Sequence, residues 1–159
     1  MKLPEHSLNF HFLTPAAAQV AELIAKGHAV RFGVGGPSMG PLLRDGDEVT
    51  VHPAAPAALR RGDLVLFRQH GRLTLHRYVG RGSRGLLKTA ADAAVRGIEV
   101  VPPDRLLGVA LLRHRDGRTR GLDTLAARAR GLARYWLRPL RRWAIRRRFG
   151  RRATAAAAF

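Results

Sequence analysis

Ser38 is the residue in this chain best placed by its neighbours to do covalent chemistry. It lies in Gly35-Gly36-Pro37-Ser38-Met39-Gly40-Pro41, a loop that neither helix nor strand could easily cross. A nucleophilic serine needs an exposed hydroxyl, a base within hydrogen-bond reach and backbone donors for the oxyanion. Glycines on both sides let main-chain N–H groups approach a substrate carbonyl closely. Taken alone, a serine in a Gly/Pro-rich loop is an ordinary turn residue. The residues downstream of it form an ordered series: Ser38-Met39-x-Pro41, then Gly46-Asp47, then Arg61-Gly62-Asp63 entering a strand-like run, then His76-Arg77. The absence of cysteine excludes a thiolate nucleophile, a thiolate metal site and a disulfide framework. No pair of carboxylates is set up for acid–base hydrolysis, and Asp47 and Asp63 read as turn residues.

The elements that must position these residues are legible from pattern. Thr14 as N-cap, Pro15 at the first helical position and Gly27 just past Lys26 bound one short Ala-rich helix. His28 to Val34 then leads into the serine loop. Leu43-Arg-Asp-Gly-Asp47 precedes Val49-Thr-Val51, and sixteen residues later Leu59-Arg-Arg-Gly-Asp63 precedes Leu64-Val-Leu-Phe67. Each Gly-Asp suits a turn and each following run suits a strand. Gln69-His70-Gly71 turns the chain back through Leu73 to Val79. Period-two alternation puts Leu73, Leu75 and Val79 on one face of that strand and Thr74, His76 and Tyr78 on the other. With the leucine face on the core, His76 is expected to look out towards a cleft or solvent. After a turn region at Gly80 to Gly85, Leu106 to Leu112 reads as the last buried strand, closed by Arg115-Asp-Gly-Arg118.

From Leu122 the pattern turns helical, with Leu125, Leu132, Trp136, Leu140, Trp143 and Ile145 among arginines and Pro139 set to kink or split the helix. The boundaries that result are a helical segment over 1–29, a domain over 30–120 and an Arg-rich amphipathic extension over 121–159.

The ordered pattern from Phe32 to Leu112 resembles the serine-box region of the signal peptidase I and LexA-like (S24/S26) serine peptidase superfamily, in its histidine-base form. The resemblance implies a mainly β, α+β fold: a small, strongly bent sheet with a helix before it and a basic helical tail after it. It implies Ser38 as nucleophile and His76, just before Arg77, as the base where other members carry lysine. An imidazole titrates near pH 6.5, so its neutral form can take the serine proton at pH 7; the plain alternative is a surface histidine on an edge strand. Lys88 is a rival base that stands outside the family position. Relatives of the histidine type carry an aspartate after the base strand, which corresponds to Asp92 as orienter of His76, with Ala91 in place of the family's glycine. Asp104 is the fallback. Gly36, Ser38 and Met39 form the oxyanion and substrate loop, where Pro37, a second departure from the pattern, has no N–H to give. No cofactor or metal is implied, and the substrate is a peptide or protein precursor laid beside a strand edge.

The net charge of +18 is unevenly placed: fifteen arginines against Asp116 and Asp123 between Arg113 and Arg152 account for +13 of it. Such a tail suits an anionic surface, membrane or nucleic acid, and a tail with Trp and Leu along one side matches an interfacial membrane helix as well as one packed on its own domain. No base-reading motif accompanies it. Without a secretory signal or a continuous apolar stretch of roughly 18–20 residues, the simplest location is the cytoplasm or the inner membrane surface. Competing with the peptidase are a degenerate peptidase fold that binds membrane or nucleic acid through the tail and, more remotely, a LexA-like self-cleaving regulator. The latter needs a DNA-binding module, for which the 29 residues before Val30 are too few, and usually an Ala-Gly cleavage site, a dipeptide that does not occur here. The oligomeric state is not encoded in any of these patterns.

Overall fold

The computed structural model describes residues 15–94 and 97–137; Thr14 and the tail positions Pro139, Leu140, Trp143 and Ile145 lie outside the described residues. Helix α1 spans Pro15–Ala25, and Gly27 at φ 92° ends it, its N–H donating to the Ile24 carbonyl. Ala17, Ala21 and Ile24, spaced at helical intervals, are the buried face. The strands are β1 (Val30–Gly33), β2 (Glu48–Pro53), β3 (Leu64–Gln69), β4 (Arg72–Arg81), β5 (Leu87–Ala90), β6 (Glu99–Val101), β7 (Leu106–Arg115) and β8 (Arg118–Gly121). Helix α2 (Leu125–Trp136) comes after them, capped by Thr124, whose hydroxyl accepts from the Ala127 N–H. No helix among the described residues is long and apolar enough to cross a membrane.

All strand pairs are antiparallel, and the curled sheet runs β1-β2-β7-β3-β4-β5-β6 with β8 on β7. The fold is therefore α+β, a bent antiparallel sheet with a helix before it and a helix after it. Two-residue turns close β3–β4 at His70-Gly71 and β7–β8 at Asp116-Gly117, all four residues at positive φ as a tight hairpin of this hand requires. Strand β7, expected as the last buried strand, is central to the sheet, paired to β2, β3 and β8, and the β8 that follows it is exposed.

The two Gly-Asp turns share one construction. Gly46 and Gly62 adopt φ 85° and 97°, and Asp47 and Asp63 each accept the N–H three residues back, from Arg44 at 2.9 Å and Arg60 at 2.8 Å. Each carboxylate also holds a distant guanidinium, Arg115 on Asp47 and Arg128 on Asp63. The turns are structural, and they tie β7 and α2 to the sheet.

Both faces of the sheet are covered. Leu64, Leu66 and Leu73 pack with Val49, Val51, α1 and Met39 on one face. Val65, Phe67 and Tyr78 pack with Leu87, Val101 and Val109 on the other. His76, paired with Val65 in the register, belongs to this second face and is only 4% exposed. The expectation that it looks out of the core is thus corrected: the face opposite the leucines is a second apolar layer, because β5 and β6 curl over it.

Candidate active site

The sequence Gly36-Pro37-Ser38-Met39 folds as a single 3₁₀ turn, Pro37–Met39, entered through Gly36 at φ 86°. Proline fixes the first residue of the turn, and Met39 anchors it by burying its side chain in the first core. Ser38, half-buried, accepts a hydrogen bond on its carbonyl from the Ala93 N–H at 2.9 Å. The Gly36 N–H donates to the Asp45 carboxylate, so of the loop residues expected to serve an oxyanion it is already committed. With Pro37 lacking an N–H, the amides of Ser38 and Met39 are the donors left to that role.

The turn lies against β4. Ser38 and Met39 share an apolar pocket with Phe32, Leu66, Thr74 and Leu75, the last two being the residues just before His76. Strand β4 pairs with β3 over Arg72–Arg77 and with β5 only from Arg77 onward. Its first half, beside Ser38, therefore has no strand on its outer side among the described residues. Leu66 and Leu75 are register partners on the first face, whereas Thr74 is on the face of His76, so the pocket wraps around this open edge.

The imidazole of His76 packs edge-on against Phe67, with ring centres 5.9 Å apart. Its Nδ1 lies 2.9 Å from Oε2 of Glu99 on β6. That hydrogen bond holds the Glu99 carboxyl below the usual carboxylate range, against the opposing effect of burial. Asp92 does not take the orienting position expected of it. Both of its oxygens are taken by Arg77, from Nε at 2.7 Å and Nη2 at 2.6 Å, while Arg77 Nη1 donates to the Gly62 carbonyl. The physical reason is burial: with Arg77 2% and Asp92 4% exposed at the side chain, each charge requires the other. Asp92 nevertheless acts on the site, because the next residue, Ala93, holds the Ser38 carbonyl. The segment that carries the serine is thereby tied to the neighbour of His76. Lys88 and Asp104 are exposed, on β5 and in the turn before β7, and neither enters this cluster.

Glu99 was not singled out by the sequence. The signal available was its place in Ile98-Glu99-Val100-Val101, a charged residue within a short apolar strand, but only the curl of β5 and β6 brings it to His76. The peptidase S24-like family model matches residues 12–109, well over half the chain and every residue of this cluster. The chain belongs to the peptidase S24-like family. No curated protein matches it. In this S24-like chain the matched region ends within β7, so β8, α2 and the arginine-rich tail lie beyond it.

Proposed function

We propose that this chain is a serine endopeptidase of signal-peptidase-like type that cleaves a leader or signal segment by acyl transfer. The observation that carries the reading is the Nδ1 contact of His76 with Glu99. A carboxylate on Nδ1 places the imidazole hydrogen there and leaves the lone pair on Nε2, the tautomer a general base needs. Ser38 Oγ adds to the scissile carbonyl carbon as its proton passes to His76 Nε2, and the amides of Ser38 and Met39 receive the oxyanion. Collapse expels the amine, which takes the proton from His76. A water, deprotonated by the same nitrogen, then hydrolyses the acyl-serine and frees the hydroxyl.

The outer edge of β4 beside Ser38, which faces no strand among the described residues, supports an extended substrate added along it, where main-chain hydrogen bonds supply affinity and pockets for alternate side chains supply specificity. The apolar pocket beside Ser38, with a free volume of about 40 Å³, favours a small apolar side chain next to the cleaved bond.

A second reading, a peptidase fold that binds a peptide without cutting it, draws support from the depth of His76 and its place beside Phe67. The two separate in one experiment: a mixed peptide library is incubated with the wild type, Ser38→Ala and His76→Ala, and products are read by mass spectrometry. The peptidase reading expects new termini following small residues from the wild type alone. Equal products from all three, or none from the wild type, would reject it.

A further inference from the structure

Between α2 and the β7–β8 hairpin the chain forms a second cleft, of about 400 Å³, whose charged lining is Arg77, Asp92, Arg113, Arg120, Arg130 and Arg134. Arg77 and Asp92 neutralise each other. None of the four remaining arginines forms an ion pair among the described residues. They come as two pairs. Arg113 of β7 stands opposite Arg120 of β8 in the hairpin register, and Arg130 and Arg134 are one turn apart on α2. Like charges set directly across a ladder, or four apart on a helix, destabilise the element that carries them. Arg113 gives Nη1 to the Leu42 carbonyl at 2.8 Å, but its Nε is buried without a partner. Desolvation and then repulsion from Arg115, with Arg120 and Arg44 adding to it, lower the proton affinity of Arg113 against the pull of Asp47. The residues after Asp123 bring no side-chain carboxylate to the cleft, since no aspartate or glutamate occurs among them.

A bound anion supplies the countercharge that both pairs lack. We propose that the cleft is a binding site for a small phosphate-bearing ligand, held by Arg113 and Arg120 on one wall and Arg130 and Arg134 on the other. Four uncompensated cations call for a ligand with at least two negative charges, which a phosphate monoester or a pyrophosphate carries and a single carboxylate does not. The planar guanidinium fork donates two parallel N–H groups, a match for a pair of phosphate oxygens. The volume falls in the range of small-molecule sites. The site is a recess between a helix and a hairpin, so the convex backbone of a nucleic-acid duplex does not enter it. A bilayer is disfavoured by the helix itself. Leu125, Leu132 and Trp136 form its outer stripe, with Leu125 81% and Trp136 70% exposed, on the side opposite Arg130, Gly131 and Arg134. A membrane seating those apolar side chains would face away from the cleft. The inference is independent of catalysis by Ser38 or His76.

The test uses the full chain and isothermal titration calorimetry with pyrophosphate, and with inorganic phosphate, at constant ionic strength. Arg120→Gln combined with Arg134→Gln takes one arginine from each wall. It is compared with Arg68→Gln combined with Arg84→Gln, which removes equal charge away from the cleft. One saturable pyrophosphate site is expected in the wild type and in the control pair. With two charge-assisted hydrogen-bonding groups gone, the cleft pair binds roughly 100-fold more weakly. By linkage, saturating pyrophosphate raises the unfolding temperature of the wild type and leaves that of the cleft pair nearly unchanged. Should the cleft pair fail to fold, Arg130→Gln against Arg68→Gln, both at exposed positions, makes the same comparison. Equal weakening in both variants, or heat that never saturates, would overturn the site, because the arginines of the tail would then account for the binding. Unchanged affinity in the cleft variant would overturn it as well. If the wild type ignored both phosphates while the cleft variant lost binding to phosphatidylglycerol vesicles or to duplex DNA, the cleft would be a membrane or nucleic-acid surface and the small-ligand site would be rejected.

Discussion

His76 and Glu99 meet across the width of β5, with Nδ1 and Oε2 2.9 Å apart although 23 residues separate them in the chain. The contact exists because β5 and β6 curl over the second apolar face, which lowers Glu99 onto the imidazole while its far side stays partly open to water. If Glu99 fixes the tautomer, Glu99→Gln keeps the shape and loses the charge that stabilises the imidazolium. The expected result is a fall in kcat of roughly 10²–10⁴-fold, with KM much less affected. Steady-state kinetics on the first peptide found to be cut measures it.

Asp92 behaves differently. Asp92→Asn leaves the Arg77 guanidinium buried with its countercharge gone, and breaking a buried pair in this way costs about 3–5 kcal/mol. The expected outcome is a large drop in the urea midpoint. Asp92 does not touch His76, so any loss of activity beyond the unfolded fraction should arise through Ala93 and the Ser38 segment that it holds.

Gly131 gives a test in the opposite sense to helix propensity. Glycine to alanine in a helix interior ordinarily stabilises by about 1 kcal/mol. Here a Cβ would intrude on the Arg77 guanidinium, which three hydrogen bonds hold in place. Gly131→Ala is therefore expected to destabilise by about 1–3 kcal/mol. Chemical denaturation reads the sign directly.

The acid limb of stability should belong largely to Asp47. Hydrogen bonding from Arg115, then the Arg44 N–H, hold its carboxyl below the ordinary value of 3.8 although burial pushes the other way. A folded-state value below the unfolded one means that the unfolded chain takes up the proton first. The stabilisation is thus complete above the ordinary value and is lost as pH falls through the folded one. Glu99, depressed by His76, adds to the same limb. Asp47→Asn is expected to lower stability at neutral pH and to flatten the fall as the pH drops below the ordinary value of 3.8. Thermal unfolding over that range measures both effects.

Much of this was legible in the chain itself. Pro15 and Gly27 bound α1, the paired Gly-Asp turns introduce β2 and β3, and the His70-Gly71 hairpin sets the register of β4; each is a local rule with a local cause. The serine loop was legible for the same reason, since Gly36 and Pro37 dictate its turn. What local pattern could not supply was which faces become buried. Alternation placed His76 opposite the leucines correctly, yet a second core forms on that side through β5 and β6. The exchange of partners has the same origin: Asp92 and Glu99 are both carboxylates after β4, and only the curl of the sheet decides that Arg77 takes the first and His76 the second.

The peptidase reading requires that the groups at positions 38 and 76 act on one another, and the chain offers a direct measurement because it has no cysteine of its own. In Ser38→Cys the rate of alkylation by iodoacetamide against pH reports a single thiol. A neighbouring imidazolium lowers a thiol pKa from roughly 8.5 to about 7.5 or below. A working pair predicts that depressed midpoint, its return towards the ordinary value when His76→Ala is added, and an intermediate value with Glu99→Gln. Identical pH profiles with and without His76 would contradict it.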